Sequence, residues 1–172
     1  DGRQKQIFSY CEPKGVDRGQ ITTYVRKDIN PNDSGRIGGN RDTLDFNLFF
    51  RMVDQLTGNG LANDWRVING ASVDIDDDGL RNGSAGVKFV SSHDDAGPAL
   101  DNVAHAYVLM MPGNAIVYFN AEEHGQVSFP KSGRGDALRG KFGDRLVRLV
   151  GIRNSHGRGN YRERLLTKEI LL

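Results

Sequence analysis

The stretch Phe89-Val90-Ser91-Ser92-His93-Asp94 joins an apolar run to a histidine and an aspartate. Residues 87–91 predict a short buried strand, which ends just before His93 and Asp94. Pro98 follows and favours the start of a helix, because the first turn of a helix does not need the N–H that proline lacks. The segment therefore predicts a strand, a polar turn and a helix in succession.

The same alternation extends in both directions along the chain. Apolar runs bounded by turn residues predict the strands, and apolar residues three or four positions apart predict the helices. Alternating strands and helices are typical of a parallel sheet built from βαβ units. The predicted strands are 6–11, 43–46, 87–91 and 115–119, and the predicted helices are 19–28, 48–56, 98–111 and 144–153, with a strand-like tail at 161–172.

Polar or acidic side chains follow three of these strands. Glu12 follows the first strand, His93 and Asp94 follow the third, and Glu122 follows the fourth. In barrels of parallel strands, the carboxyl ends of the strands lie at one face, which carries the chemistry. We therefore expect Glu12 and Asp94 to lie at a common functional face.

The composition is that of an ordinary globular protein. The 172 residues suit one domain, and 37% hydrophobic with 26% charged residues is a usual balance. The net charge of +1 gives no general attraction to nucleic acid or to anionic membranes, and no apolar run approaches the roughly 20 residues of a membrane span. We therefore expect neither nucleic acid nor a membrane as a partner. Cys11 is the single cysteine, which excludes an internal disulfide but leaves a secreted and a cytoplasmic location open.

Four segments resemble strand motifs of the α-amylase family of glycoside hydrolases. Residues 89–94 resemble the family's seventh-strand motif, in which an aromatic residue precedes Asn-His-Asp or a variant. Residues 111–122 are similar to its eighth-strand segment, and residues 6–12 and 44–46 to its fifth and sixth strands. The four segments occur in the family's order, which is far more specific than any one of them.

The resemblance implies an α/β fold, namely a partial TIM-type (β/α)8 barrel with about four βα units. These units correspond to strands five to eight of the family, in a half-barrel catalytic domain over residues 1–158. Residues 159–172 are then the start of a C-terminal β-segment. Because a complete barrel needs about 250 residues, we expect either a piece of a longer protein or a homo-oligomer that completes the open barrel.

The resemblance also implies the hydrolysis of α-1,4-glycosidic bonds in starch or maltooligosaccharides. Glycoside hydrolysis uses two carboxyl groups that flank the scissile bond. By resemblance, Glu12 is the general acid and Asp94 stabilises the positively charged transition state. His93 is expected to bind a sugar hydroxyl, with Tyr10 and Asp95 as further substrate-binding residues.

One departure from the family leaves the mechanism open. The family's nucleophile is an aspartate in a Gly-x-Arg-x-Asp segment on the fourth strand, and no such segment precedes Glu12. Glu12 and Asp94 can instead be interpreted as an acid and base pair around a water, with inversion, which requires carboxyl groups about 6.5–9.5 Å apart. Other interpretations are a non-catalytic carbohydrate-binding or interaction domain, a surface Glu12, and an Asp95 that caps the following helix.

An acidic segment, Asp74-x-Asp76-x-Asp78-Gly79, matches the opening of an oxygen-ligand calcium loop. The twelfth position, where an EF-hand has glutamate, is Ala85, and this excludes a complete EF-hand. The segment predicts a calcium site formed by Asp74, Asp76 and Asp78. The alternative is an acidic turn closed by Gly79.

Overall fold

Helices provide most of the regular structure, and the strands are short. The computed structural model describes residues 9–25, 41–92, 94–118, 143–157 and 161–171. The helices are α1 (Arg18–Val25), α2 (Phe46–Gln55), α3 (Trp65–Asn69), α4 (Ile75–Asp78), α5 (Asp101–Met110) and α6 (Gly143–His156). The strands are β1 (Tyr10–Cys11), β2 (Asp42–Thr43), β3 (Leu56–Thr57), β4 (Gly60–Leu61), β5 (Leu165–Thr167) and β6 (Ile170–Leu171).

The prediction of a partial (β/α)8 barrel is wrong. Within the described residues every sheet has two strands, and no strand exceeds three residues. β1 pairs in parallel with β2, whereas β3 with β4 and β5 with β6 are antiparallel. Further parallel pairing in this part of the chain consists of two single bridges, Leu44 with Val87 and Lys88 with Ala115. The described residues thus form helices with small sheets rather than four βα units.

Two local features limit the length of the paired segments. Asp45 is the N-cap of α2 and accepts a hydrogen bond from the Leu48 N–H at 3.0 Å, so the helix begins at Phe46, inside the predicted strand 43–46. Gly86, directly before Val87, has a φ of 80°, a left-handed conformation that cannot continue an extended ladder. The apolar runs indicate burial correctly, but they do not determine how many residues pair.

Helix α2 confirms the predicted apolar spacing and organises the larger core. Leu48 and Met52 of α2 are buried against Ile68 of α3 and Val108 of α5. Val90, which lies in the stretch 89–94, belongs to the same cluster. Each such aliphatic side chain contributes roughly 1.5–3 kcal/mol through burial. This cluster therefore joins three helices to the segment that contains the stretch 89–94.

A second, aromatic cluster also involves α2. Phe46 and Phe49 pack against Phe89, and all three rings are buried. The rings of Phe49 and Phe89 are stacked, with centroids 4.8 Å apart and planes at 12°. Phe89 is thus held by α2, and this contact positions the turn that follows it.

A buried polar cluster lies beneath the start of α2. Asp45, Ser72 and Lys88 have no exposed surface. Asp45 accepts hydrogen bonds from the Ser72 hydroxyl at 2.8 Å and from the Val73 N–H at 3.1 Å. Burial raises the pKa of Asp45 and lowers the pKa of Lys88, because both charged forms lose water. The hydrogen bonds to Asp45 thus connect α2 to the segment between α3 and α4.

Arg153 fastens α6 to the end of α5. Its Nη1 donates to the Met111 carbonyl at 2.7 Å and to the Leu109 carbonyl, and its Nη2 donates to the Gly113 carbonyl. These carbonyls lie where α5 ends, and Pro112 cannot continue the helix. One guanidinium therefore satisfies three acceptors that the helix leaves free.

The C-terminal residues form a β-hairpin held by Trp65, which confirms the predicted strand-like tail. The Trp65 backbone N–H donates to the Lys168 carbonyl at 3.0 Å, and its indole Nε1 donates to the Glu169 carbonyl at 3.1 Å. The hairpin thereby lies against α3. None of the helices in the described ranges combines the length and the apolar character needed to span a membrane.

Candidate functional site

The segment after β1 and the turn after Val90 meet through an ion pair. The Nζ of Lys14 lies 2.8 Å from Oδ2 of Asp95. Lys14 follows Glu12 by two residues, and Asp95 adjoins Asp94. The ion pair thus joins two parts of the chain that are about eighty residues apart in sequence, and we call this group of residues the Lys14 face.

The turn that carries Asp94 and Asp95 is closed by Ser92. The Ser92 N–H donates to the Asp95 carbonyl at 3.0 Å, and the N–H groups of Asp94 and Asp95 donate to Ser92 Oγ at 3.2 and 3.0 Å. Asp95 does not cap the following helix, because α5 begins at Asp101 and its N-cap position is Leu100. The side chain of Asp95 instead points to Lys14.

Three carboxylates raise the pKa of the Lys14 ammonium. The hydrogen bond to Asp95 raises the pKa of Lys14, and the negative charges of Asp95, Asp94 and Glu12 raise it further. Glu12 and Asp94 thus both act electrostatically on Lys14. Sequence reasoning missed Lys14, and the only available signal was its position two residues after Glu12.

The Lys14 face is open to solvent. Glu12 and Asp94 are exposed, Asp95 is half-buried, and Tyr10 is 45% exposed. Tyr10 lies two residues before Glu12, a spacing that places side chains on the same side of an extended segment. The face thus combines carboxylate acceptors, an ammonium donor and an aromatic ring, which are the groups that contact sugar hydroxyls and sugar rings. His93 lies outside the described residues.

The acidic segment 74–78 is a short helix rather than an open loop. The two carboxylate oxygens of Asp74 accept from the N–H groups of Gly83 at 2.9 Å and Ala85 at 3.0 Å. Asp76 forms an ion pair with Arg18, whose Nη2 lies 3.0 Å from Oδ1. The side chain of Asp78 lies outside the described part of the structure. Among the side chains that are described, no three histidine, cysteine, aspartate or glutamate residues are grouped so that they could hold a metal ion.

Calcium at this segment stays a prediction, and its test is a titration of calcium into the wild type and Asp76→Ala. Coordination by Asp76 requires its carboxylate to leave Arg18. We therefore expect any calcium affinity to be weak, with a Kd of about 1 mM or higher. An affinity that is equal in both proteins contradicts a role for Asp76 as a ligand.

The resemblance of the four strand segments has no support from a detectable relative. The function of the Lys14 face therefore rests on its own geometry and on the motifs in the sequence. The chain matches no family model, no curated protein and no solved structure.

Proposed function

We propose that the protein acts on α-glucans at the Lys14 face and cleaves their α-1,4-glycosidic bonds. One observation supports the proposal: the Lys14–Asp95 ion pair joins the segment that follows Glu12 to the turn that carries Asp94, and the resemblance assigns these two residues to one reaction. The sequence pattern alone does not predict this contact, because the two segments are about eighty residues apart. The chemistry of the face fits a neutral ligand that is rich in hydroxyl groups.

In the proposed reaction, Glu12 donates a proton to the glycosidic oxygen as the bond from that oxygen to the anomeric carbon breaks. Asp94 accepts a proton from a water that attacks the anomeric carbon. The products are two shorter glucans, one with a free hydroxyl and one with a new reducing end. Lys14 acts as a positioning residue, because its ion pair with Asp95 fixes the turn that carries Asp94. This arrangement inverts the anomeric configuration.

The direct test is the release of reducing ends from soluble starch by the wild type, Glu12→Gln and Asp94→Asn. We expect each substitution to reduce the rate by roughly 10²- to 10³-fold, the contribution of a general acid or base. Asp54→Asn is the matched control, because Asp54 is an exposed carboxylate on α2 outside the Lys14 face. Full activity in both site variants overturns the proposed roles. NMR of the first-formed anomer tests the inversion, and a retained configuration contradicts it.

A second candidate function is the binding of α-glucans without cleavage. The exposure of Glu12 and Asp94 favours it, since a general acid usually acquires its raised pKa in an apolar setting. Calorimetric titration with maltoheptaose separates the two functions. Saturable binding that Asp94→Asn weakens, with no reducing ends released by the wild type, supports binding alone. Binding together with release supports the hydrolase.

A further inference from the structure

A cavity of about 230 Å³ lies between α3 and the C-terminal hairpin, away from the residues of the Lys14 face. Its walls include Trp65, Arg66, Arg81, Glu163, Leu165 and Leu171, and we call it the Trp65 cavity. This volume is below the roughly 300–1,000 Å³ typical of sites for drug-sized ligands, but it is far larger than the about 10–15 Å³ that a single water needs. The space therefore suits one small organic molecule.

The acceptors of the Trp65 cavity are already occupied by the protein. Glu163 Oε1 accepts from Asn69 Nδ2 at 2.5 Å and from Arg81 Nη1, and Oε2 accepts from the Tyr161 hydroxyl at 2.8 Å. Burial raises the pKa of Tyr161, so this hydroxyl remains a donor at neutral pH. Asn69, which also lines the cavity, uses its Oδ1 to accept from the Tyr107 hydroxyl at 2.9 Å. Little acceptor capacity is left for a ligand.

The donors of the Trp65 cavity are largely unused. Among the described residues, Nη1 is the only atom of the Arg81 guanidinium with a hydrogen-bond partner, and its Nε has none. A guanidinium has five N–H donors, so most of its capacity remains. Arg66 is 75% exposed and forms a long ion pair with Asp64, with 3.6 Å between Nη1 and Oδ2. Among the charged residues that line the cavity, Arg66 and Arg81 are positive and Glu163 is negative.

The remaining walls are apolar and their geometry is fixed. The ring of Trp65 packs on Tyr107 with centroids 5.1 Å apart, and its indole N–H is bound to the Glu169 carbonyl. Leu165 and Leu171 line the cavity from the hairpin. A flat ring can lie against such walls while a charged group at its edge faces the arginines.

We propose that the Trp65 cavity binds a small ring-shaped organic anion, such as an aromatic carboxylate. The anionic group accepts hydrogen bonds from Arg66 and Arg81, and the ring lies between Trp65 and the two leucines. This site does not depend on the function proposed for the Lys14 face, because no residue is shared between them.

The test uses benzoate as the anion and benzamide as its neutral counterpart of the same shape. Trp65 is the single tryptophan of the chain, so intrinsic fluorescence reports directly on the cavity. We expect a saturable change in Trp65 emission with benzoate, and an affinity for benzamide at least about tenfold weaker, since charge-assisted hydrogen bonds are lost. No saturable change with benzoate, or equal affinity for both compounds, overturns the proposal.

Arg66→Gln tests the location of the anionic group. This side chain is mostly exposed, so its substitution leaves the fold intact. We expect the Kd for benzoate to rise about three- to fivefold, the usual contribution of an exposed charge. Arg51→Gln is the matched control, because Arg51 is an exposed arginine on α2 that does not line the cavity. Equal effects of the two substitutions contradict binding at this site.

Discussion

Asp45→Ala is expected to lower the free energy of unfolding by about 4 kcal/mol, because it leaves three buried hydrogen-bond donors without their acceptor. Asp45 is completely buried and accepts hydrogen bonds from Leu48, Ser72 and Val73. Alanine leaves all three donors without this acceptor, and it removes a negative charge that acts on Lys88. Urea unfolding followed by circular dichroism measures the change, provided that the slope of the transition is unchanged.

Asp64→Ala is the matched control for this prediction. Asp64 is also an aspartate N-cap, and it accepts from the Arg66 N–H at 2.8 Å, but its side chain is 23% exposed. Loss of a cap alone costs about 1 kcal/mol. The difference between the two losses in free energy of unfolding therefore measures the contribution of the buried hydrogen bonds of Asp45. Equal costs for Asp45→Ala and Asp64→Ala contradict the importance assigned to burial.

The pH dependence of stability gives an independent readout of Asp45. Its folded-state pKa is raised above the model-compound value of 3.8. As the pH rises from 3.8 through the folded-state pKa, the folded state binds more protons than the unfolded state, so the free energy of unfolding falls. Asp45→Asn removes this titration. We expect the free energy of unfolding of Asp45→Asn to lack the decrease with rising pH that Asp45 causes in the wild type.

The four longer helices could be predicted from the sequence because their evidence is local, whereas the short helices α3 and α4 were not predicted. The spacing of apolar residues predicts the buried side of α2 as Leu48, Phe49, Met52, Val53 and Leu56. The structure confirms this side except for Val53, which is 36% exposed. The start of α2 was predicted at Leu48 instead of Phe46, although Asp45 is a favoured N-cap residue. Asp45 lies two residues after the end of β2, so the overlooked cap affected both the predicted end of the strand and the predicted start of the helix.

Strand length could not be predicted, because pairing depends on distant partners. The run around Val87 is buried as expected, yet its described parallel pairing consists of one bridge at Val87 and one at Lys88. A fully buried Lys88 and a left-handed Gly86 lie within this short run. Apolar composition indicates an interior position, but the ladder also requires consecutive extended residues on both partners.

The candidate site was predictable in part. The strand-end positions of Glu12 and Asp94 predict a common face, which stays a prediction; the Lys14–Asp95 ion pair joins the two segments that carry them. The ion pair between Lys14 and Asp95 could not be predicted, because the sequence favours Asp95 as a sugar ligand or a helix cap. The Trp65 cavity gave no sequence signal, because Asn69 and Glu163 are 94 residues apart.

Gly83→Ala is expected to cost about 3–4 kcal/mol, because the residue lies against a second glycine. Gly83 has a φ of 82° and Gly113 a φ of 79°, both left-handed. A Cβ at Gly83 meets the backbone of Gly113 in a severe clash, and a Cβ at Gly113 lies 2.6 Å from the Gly83 Cα. Backbone strain contributes about 1–2 kcal/mol, and overpacking contributes about 1–3 kcal/mol more.

Gly79→Ala separates these two contributions. Gly79 has a φ of 83°, which matches Gly83, but a Cβ there has no atom within 4 Å. We expect about 1–2 kcal/mol for this control, from strain alone. If thermal or urea unfolding gives equal costs for Gly79→Ala and Gly83→Ala, the close approach of the two glycines does not contribute.

The double variant Gly83→Ala and Gly113→Ala then tests whether the two glycines act through one contact. The first Cβ forces the two backbone segments apart, so the second enters a gap that already exists. We therefore expect the cost of the double variant to be at least about 1 kcal/mol smaller than the sum of the single costs. Additive costs indicate two independent strains. A sub-additive cost locates the contact between the segment after α4 and the turn after α5, where Arg153 also binds the Gly113 carbonyl.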